Sequence, residues 1–392
     1  MCPRFPLAAG TNPKDPRLRR LAPLALTALA AVTAATAAIG ATATNASAAS
    51  ATHAATAAHT TTAHATTISA DRSQTHVRVL PPHLYAPYFE TYDTTDGGLA
   101  QLSRESGAKF LSLAFLQTAE SGSCTAYWNG DTSTPIAAST FGADIAAIQR
   151  AGGNVIPTFG GFTADTTNTE LADSCTSVPA IAKVYEQLID TYHVSRIDLD
   201  IEGDSVTNTA GIERRNEAIA LTEAWAAAHR LPIQFSYTLP TFPTGLAASG
   251  LAVLQNAVAE HAKISVVNLL TFDYFLGPTQ DMLADTESAA AGLYSQLETL
   301  YPNMSARARW HMIGVTEMPG IDDFGSAETF TTADAPALLR WAASKGIDMV
   351  SIWALQRDNG SCPGTKGASA CSGVTQPTWY FSHTLEPFSY LP

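Results

Sequence analysis

Ser195-Arg196-Ile197-Asp198-Leu199-Asp200-Ile201-Glu202-Gly203 is the stretch whose pattern decides the fold. Three carboxylates fall at i, i+2 and i+4, with Leu199 and Ile201 between them. Successive side chains of a strand point to opposite faces, so the acids share one face and the aliphatic groups the other. Asp198 and Asp200 then stand roughly 7 Å apart along the strand. Acids that close in a poorly solvated interior tend to share a proton, and their burial is costly unless they have partners or a task. Glu202 comes last, where the strand opens.

Working outward, seven further short apolar runs have strand character: 83–91, 109–116, 154–160, 233–239, 264–274, 312–317 and 348–355, with the acidic run itself at 196–202. Amphipathic stretches lie between them, among them 141–152, 178–192, 212–229, 251–263, 287–301 and 334–346, with apolar residues recurring every three and four positions. Strands that alternate with helices pair in parallel through right-handed crossovers. Eight such units over 310-odd residues predict an α/β chain folded as a (β/α)8 TIM barrel, with its active site at the C-terminal ends of the strands. An open doubly wound sheet would want a G-x-G-x-x-G turn after its first strand, and the sequence has none.

The 392 residues are 46% hydrophobic and 15% charged, with a formal net charge of −13, which argues against nucleic acid or an anionic membrane surface as partner. Arg4, Lys14, Arg17, Arg19 and Arg20 precede an apolar run at 21–40 and the small-residue exit Ala46-Ser47-Ala48, the pattern of a secretory signal peptide over 1–48. An Ala/Thr/His-rich linker, 49–76, follows, and the barrel occupies 77–392. His53, His59 and His64 in that linker have no Cys or acidic neighbour to complete a metal site. Cys2 leaves with the signal, and four cysteines remain, an even number in a chain expected outside the cell. Four cysteines allow three pairings. Cys362 and Cys371 close a short loop containing Pro363, Gly364 and Gly367, which leaves Cys124 with Cys175.

Other readings of the acidic run are weaker. A calcium loop would want an acid at its twelfth position, which is Thr209, and Leu199 and Ile201 are too apolar for a hydrated loop. A divalent-metal site would draw ligands from several strands, and no companion cluster is evident. A buried acidic network that only holds the barrel together stays open as an alternative.

The run Asp198-Leu199-Asp200-Ile201-Glu202 resembles the D-x-x-D-x-D-x-E signature of glycoside hydrolase family 18, the chitinases and their relatives. Four other segments resemble that family in kind and in order. They are Thr158-Phe159-Gly160-Gly161 (its S-x-G-G), Ser236-Tyr237-Thr238-Leu239-Pro240, Asn268-Leu269-Leu270-Thr271-Phe272-Asp273-Tyr274 and Ser351-Ile352-Trp353-Ala354-Leu355-Gln356-Arg357-Asp358. The sixth- and last-strand segments are closest to a secreted actinobacterial branch. The resemblance covers about 80–360. Departures are Ser195 at the first Asp, Thr158 at the Ser, Phe272 in place of a Tyr whose hydroxyl holds the substrate acetamide, and Glu317-Met318-Pro319-Gly320 on the seventh strand.

The resemblance implies a secreted, monomeric hydrolase of chitin or N-acetyl-chitooligosaccharides, without cofactor or metal. In that chemistry the substrate's own acetamide attacks the anomeric carbon, outside the two-carboxylate scheme. It implies Glu202 as general acid/base, Asp200 orienting the acetamide, and Asp198 sharing a proton with Asp200. It also implies Trp353, Asp273, Tyr274, Gly160 and Gly161 against the sugar. Trp128, Tyr85, Tyr88 and Phe242 near strand ends are further candidates for sugar stacking or for core packing. An endo-β-N-acetylglucosaminidase on N-glycans and a non-catalytic chitin-binding lectin are the alternatives on the same barrel. No G-x-S-x-G and no H-E-x-x-H gives serine or zinc chemistry local support.

Overall fold

A computed structural model describes residues 77–392. The signal peptide expected over 1–48 and the linker over 49–76 lie outside the described residues. Eight strand positions form the barrel. β1 is two short pieces, Leu84–Tyr85 and Tyr88–Glu90, on either side of Ala86 and Pro87. Then follow β2 (Phe110–Thr118), β3 (Asn154–Gly160), β4 (Arg196–Asp200), β5 (Gln234–Phe242), β6 (Ile264–Leu270), β7 (Ile313–Glu317) and β8 (Met349–Ile352). Neighbours from β2 to β8 pair in parallel in sequence order. The sheet closes through β1, whose first piece pairs with β8 and whose second pairs with β2. Pro87 carries no N–H to give to a ladder, so the break between the two pieces falls where a proline is tolerated. All eight sequence-predicted strands are present, but β4 stops at Asp200, so Glu202 lies just beyond the ladder.

The helices lie where the 3.6-residue periodicity puts them. Val178–Tyr192 buries Ile181, Tyr185, Leu188 and Tyr192 on one stripe. Ser177 caps its start, accepting the Ala180 N–H, and Pro179 stands in its first turn, where a missing N–H costs nothing. Asn208 caps Thr209–His229 and Asp281 caps Met282–Leu300 in the same manner. The first crossover helix, Leu99–Ser106, has too short a repeat to stand out in the sequence. Between β7 and β8 a small hairpin (Gly320–Ile321 with Thr329–Phe330) precedes the helix Asp334–Lys345.

Outward-facing strand residues such as Leu199, Tyr237 and Leu269 join the helices in one continuous core. At the barrel's lower end the buried Arg196 guanidinium bridges the buried Asp348 at 2.7 Å and the part-buried Gln234 at 2.8 Å. Both expected disulfides are formed, Cys124–Cys175 and Cys362–Cys371. Among the described residues no helix is long and apolar enough to cross a membrane.

Candidate active site

Register places the acids. Asp198 lies opposite Thr158 on β3 and Ser236 on β5, and Asp200 opposite Gly160 and Thr238. Side chains in one row of a parallel sheet face the same way, so Asp198 is surrounded by short hydroxyl residues. It accepts hydrogen bonds from Ser236 Oγ at 2.5 Å, Thr238 Oγ1 at 2.9 Å and Tyr88 Oη at 3.0 Å. Thr238 Oγ1 also accepts from Asn268 Nδ2 at 3.0 Å. Burial raises the Asp198 carboxyl above its ordinary range, and these hydroxyls and the Arg196 charge oppose that rise.

Asp200 is one strand step nearer the mouth and has no such support. Its Oδ1 is buried without a hydrogen-bond partner among the described residues. Burial, then the neighbouring Glu202, Asp198 and Asp165 carboxyls, push it well above the carboxylate range. Of the two strand acids, Asp198 is the one built to be the anion and Asp200 the one built to hold a proton. Glu202 is part-buried, and burial lifts it from 4.5 to about 7, opposed by the Phe162 N–H. A carboxyl near 7 has the protonation balance that a general acid/base needs at neutral pH.

A cleft of about 710 Å³ opens above these acids, with Asp200 and Glu202 in its wall. Trp353, at the end of β8, forms part of it, its ring stacked on Phe115 at 5.4 Å and meeting Tyr88 edge-on at 5.6 Å. Gly160 lines it at φ +94°, where a Cβ would collide with the Asp200 carbonyl oxygen, so only glycine lets β3 come this close to β4. Asp273 and Phe272 reach it from the turn after β6, together with the exposed ring of Phe275.

Two expected sugar contacts stand elsewhere. Tyr274 is buried on the outer side of the turn, beside Glu317 and Asp285, with its N–H on Glu328 Oε2 at 2.8 Å. The cause is that β6 ends at Leu270 and the chain turns through positive φ at Asp273 and Phe275, aiming those two at the cleft and the residue between them away. Gly161 is not in the cleft wall either. Its N–H donates to the Asp200 carbonyl at 2.9 Å, and the Phe115 ring covers the place a side chain would take. Of the aromatic candidates, Trp128 and Tyr85 are core. The Trp128 indole donates to Tyr192 Oη at 3.3 Å, and the Tyr85 hydroxyl meets Ser382 at 3.0 Å. Tyr88 serves the acids rather than the cleft, and Phe242 is exposed but outside the cleft wall. The Arg357-Asp358 pair of the last-strand segment is structural. Arg357 donates to the carbonyls of Pro319, Ile321 and Ala368, and Asp358 accepts the Phe381 and Ser382 N–H groups.

Sequence reasoning missed an acidic loop beside the cleft. Asp273, Asp322 and Glu328 have carboxylate oxygens within 4.8 Å of one another, and Asp323 joins the cleft wall. Their oxygens accept backbone N–H groups. Asp322 takes those of Asp273, Phe324 and Gly325, and Glu328 takes those of Tyr274 and Leu276. Burial first, then Asp322 and Asp323, raise Asp273 to about 8. Asp322, Asp323 and Glu328 sit in the loop after β7, without periodicity, so only their acidity was visible. Asp165, in the turn after Gly161, was also missed; its Oδ2 accepts the Glu202 N–H at 2.5 Å.

No protein-family model matches the chain. It is 32% identical over 332 residues to a probable bifunctional chitinase/lysozyme of Escherichia coli (strain K12), covering 81% of this chain and 36% of the relative. It is 32% identical over 300 residues to endochitinase 11 of Metarhizium anisopliae, covering 74% of this chain and 55% of the relative. The chain thus spans about a third and about half the length of the curated relatives it matches. Among solved structures it is similar to active domain 2 of a thermostable chitinase from Pyrococcus furiosus, studied as catalytic-site mutants complexed with chito-oligosaccharides. That match has a TM-score of 0.69 and 26% identity, over 80% of this chain and 96% of that one. In sequence over most of its length, and in fold, the barrel of this chain is similar to the catalytic domains of chitinases.

Proposed function

We propose that the protein is a secreted chitinase that hydrolyses β-1,4 bonds between N-acetylglucosamine units. The observation that carries this is the Asp198–Asp200–Glu202 ladder. A carboxyl held by three hydroxyls lies deepest, an unpartnered acid lies next, and a carboxyl at about 7 stands at the mouth of a 710 Å³ cleft with a tryptophan in its wall. The likeness to two relatives named as chitinases supports the same reading. The mechanism is retention through the substrate. Glu202 protonates the glycosidic oxygen, and the acetamide oxygen closes on the anomeric carbon as the leaving sugar departs. Asp200 holds the acetamide N–H and shifts its own proton toward Asp198. The positive oxazolinium ring is stabilised by that buried negative charge. Glu202, now ionised, takes a proton from the water that reopens the ring. With Phe272 in the place of a hydroxyl-bearing ring, Asp200 carries acetamide recognition without that partner.

The Escherichia coli relative's name also includes lysozyme. Peptidoglycan carries on alternate sugars a lactyl group that bears a carboxylate-containing peptide. Among the described residues this cleft is lined by Asp200, Glu202, Asp273 and Asp323 and by no Lys, Arg or His, so nothing in it would pair with a substrate carboxylate and the uncharged polymer is the better electrostatic fit. The two disulfides support action in an oxidising, extracellular setting. The test is mass spectrometry of products from N-acetyl-chitohexaose, peptidoglycan and a high-mannose N-glycan, each incubated with the protein. Cleavage of the chitohexaose, with little or none of the other two, is expected. Exclusive cleavage of the N-glycan or of peptidoglycan overturns the substrate assignment.

A further inference from the structure

Glu202 lies two residues past the end of β4, where the sheet no longer holds the chain. Ile201 still donates its N–H to the Thr238 carbonyl at 3.0 Å. The next N–H, that of Glu202, has no strand acceptor. It is taken by Asp165 Oδ2 at 2.5 Å. Asp165 is 1% exposed and sits in the short helical turn Phe162–Thr167 that follows Gly160 and Gly161. The same turn grips β4 a second time, since the Gly161 N–H donates to the Asp200 carbonyl at 2.9 Å, and the Asp165 N–H returns to the Gly161 carbonyl at 3.1 Å. One turn of chain thus fixes the two peptide groups that flank Ile201, between the last two acids.

The surroundings of Asp165 determine what kind of acceptor it is. Glu170 and Arg215 are buried near it, and Arg215 is already shared between Glu170 and the buried Asp173. Arg215 is engaged by Glu170 at 2.6 Å and, less closely, by Asp173 at 3.4 Å. Glu170 also accepts the Ala172 and Asp173 N–H groups, and Asp173 accepts the Ser205 hydroxyl. Asp165 is left with the Glu202 N–H, and its Oδ1 has no partner among the described residues. Burial first and Glu170 second raise it to about 9, against the pull of the Glu202 N–H and Arg215. It is therefore a neutral acceptor at working pH, and it adds no negative charge beside Asp200 and Glu202.

We propose that Asp165 is a positioning residue for the general acid, fixing the Glu202 backbone through its N–H so that the carboxyl keeps its place relative to Asp200. The inference rests on the assignment of Glu202 as the general acid. A displacement of about 1 Å at a reacting group costs on the order of 10²-fold in rate, so the bond acts on turnover more than on binding.

The test uses the full chain with N-acetyl-chitohexaose, comparing wild type, Asp165→Asn, Asp165→Ala and Glu202→Gln. Asp165→Asn keeps a neutral carbonyl acceptor of the same size; its kcat is expected within about fivefold of wild type, with the alkaline limb of its pH profile unmoved. Asp165→Ala removes the acceptor; kcat is expected to fall about 10²-fold with KM within about threefold. Asp165→Ser keeps the site polar but is too short to reach Glu202, and it replaces the alanine variant if that one does not fold. Folded Asn and Ala variants that are equally impaired, or a folded Ala or Ser variant with wild-type kcat, would overturn the proposal. A Glu202→Gln variant that stays active would instead overturn the assignment on which it rests.

Discussion

Raising the pH from 6 to 8 perturbs the one group on which leaving-group protonation depends. Burial lifts Glu202 from 4.5 to about 7. At that value about 90% of the protein holds the proton at pH 6 and about 9% at pH 8, so kcat/KM falls about tenfold over the interval. A solvent-exposed glutamate would be only about 3% protonated at pH 6, and its alkaline limb would begin more than two units lower. The cause of the shift gives a second, sharper test. Glu202 is raised by loss of solvent, whereas Asp200 is raised by burial and then by the Glu202 charge. Asp200→Asn should therefore lose most of its turnover but keep its limb near 7. The assay is initial-rate hydrolysis of a soluble N-acetyl-chitooligosaccharide well below KM, from pH 4 to 9, for both proteins, with circular dichroism to show that each stays folded. A wild-type limb below about 5.5 would refute burial as the source of the proton. A limb that drops by a full unit in Asp200→Asn would show that charge repulsion, not burial, sets it.

Tyr88→Phe removes one of three hydroxyls from Asp198 while keeping the ring against Trp353, and should lower kcat by about tenfold, as loss of one hydrogen bond to a charged group does; unchanged kcat would contradict the role given to Asp198. Glu317, buried in β7 on the Thr286 hydroxyl, is raised from 4.5 to about 8. The folded chain therefore keeps a proton that the unfolded chain has released, and stability falls as pH rises between those values, by up to about 1.4 kcal/mol per unit. Glu317→Gln should flatten that fall in urea unfolding at pH 5 and 7.5, and an unaltered slope would contradict it. The disulfides span 51 and 9 residues, for which loop closure gives about 4 and about 3 kcal/mol. Replacing Cys124 and Cys175 by Ser should cost more stability in urea unfolding than replacing Cys362 and Cys371, and the reverse order would contradict the estimate.

Much of the barrel was legible because its two periods are local. Leu199 and Ile201 between the acids, and Ile181, Tyr185 and Leu188 on the preceding crossover, announce a strand and a helix without tertiary information. Asp198, Asp200 and Glu202 could be placed near the C-terminal mouth from alternation, and Trp353, Gly160 and Asp273 from the family resemblance; all but Asp198, which lies just beneath, are in the cleft wall. What failed lies past the ends of strands. Alternation cannot say which way Tyr274 faces once β6 has ended and Asp273 has turned to positive φ. Gly161 is adjacent to a lining residue, yet its backbone serves β4 and its missing side chain makes room for Phe115. Trp128 and Tyr85 are large rings near strand ends, and only the packing against Tyr192 and Ser382 reveals them as core. Asp165, Asp322, Asp323 and Glu328 stand in loops, where spacing carries no facing information and only three-dimensional proximity to Glu202 or Asp273 gives them meaning.

The central claim is that Glu202 is the acid and the base of a glycosidic hydrolysis. Its most direct test is the rate of N-acetyl-chitohexaose cleavage by wild type and by Glu202→Gln, with oligosaccharide binding measured on both by calorimetry. A glutamine keeps the size and the cleft wall but has no proton to give, and general acid/base catalysis contributes about 10²–10⁴-fold. The account predicts a loss of at least that size with Kd within about threefold of wild type. Turnover by Glu202→Gln within tenfold of wild type would contradict it.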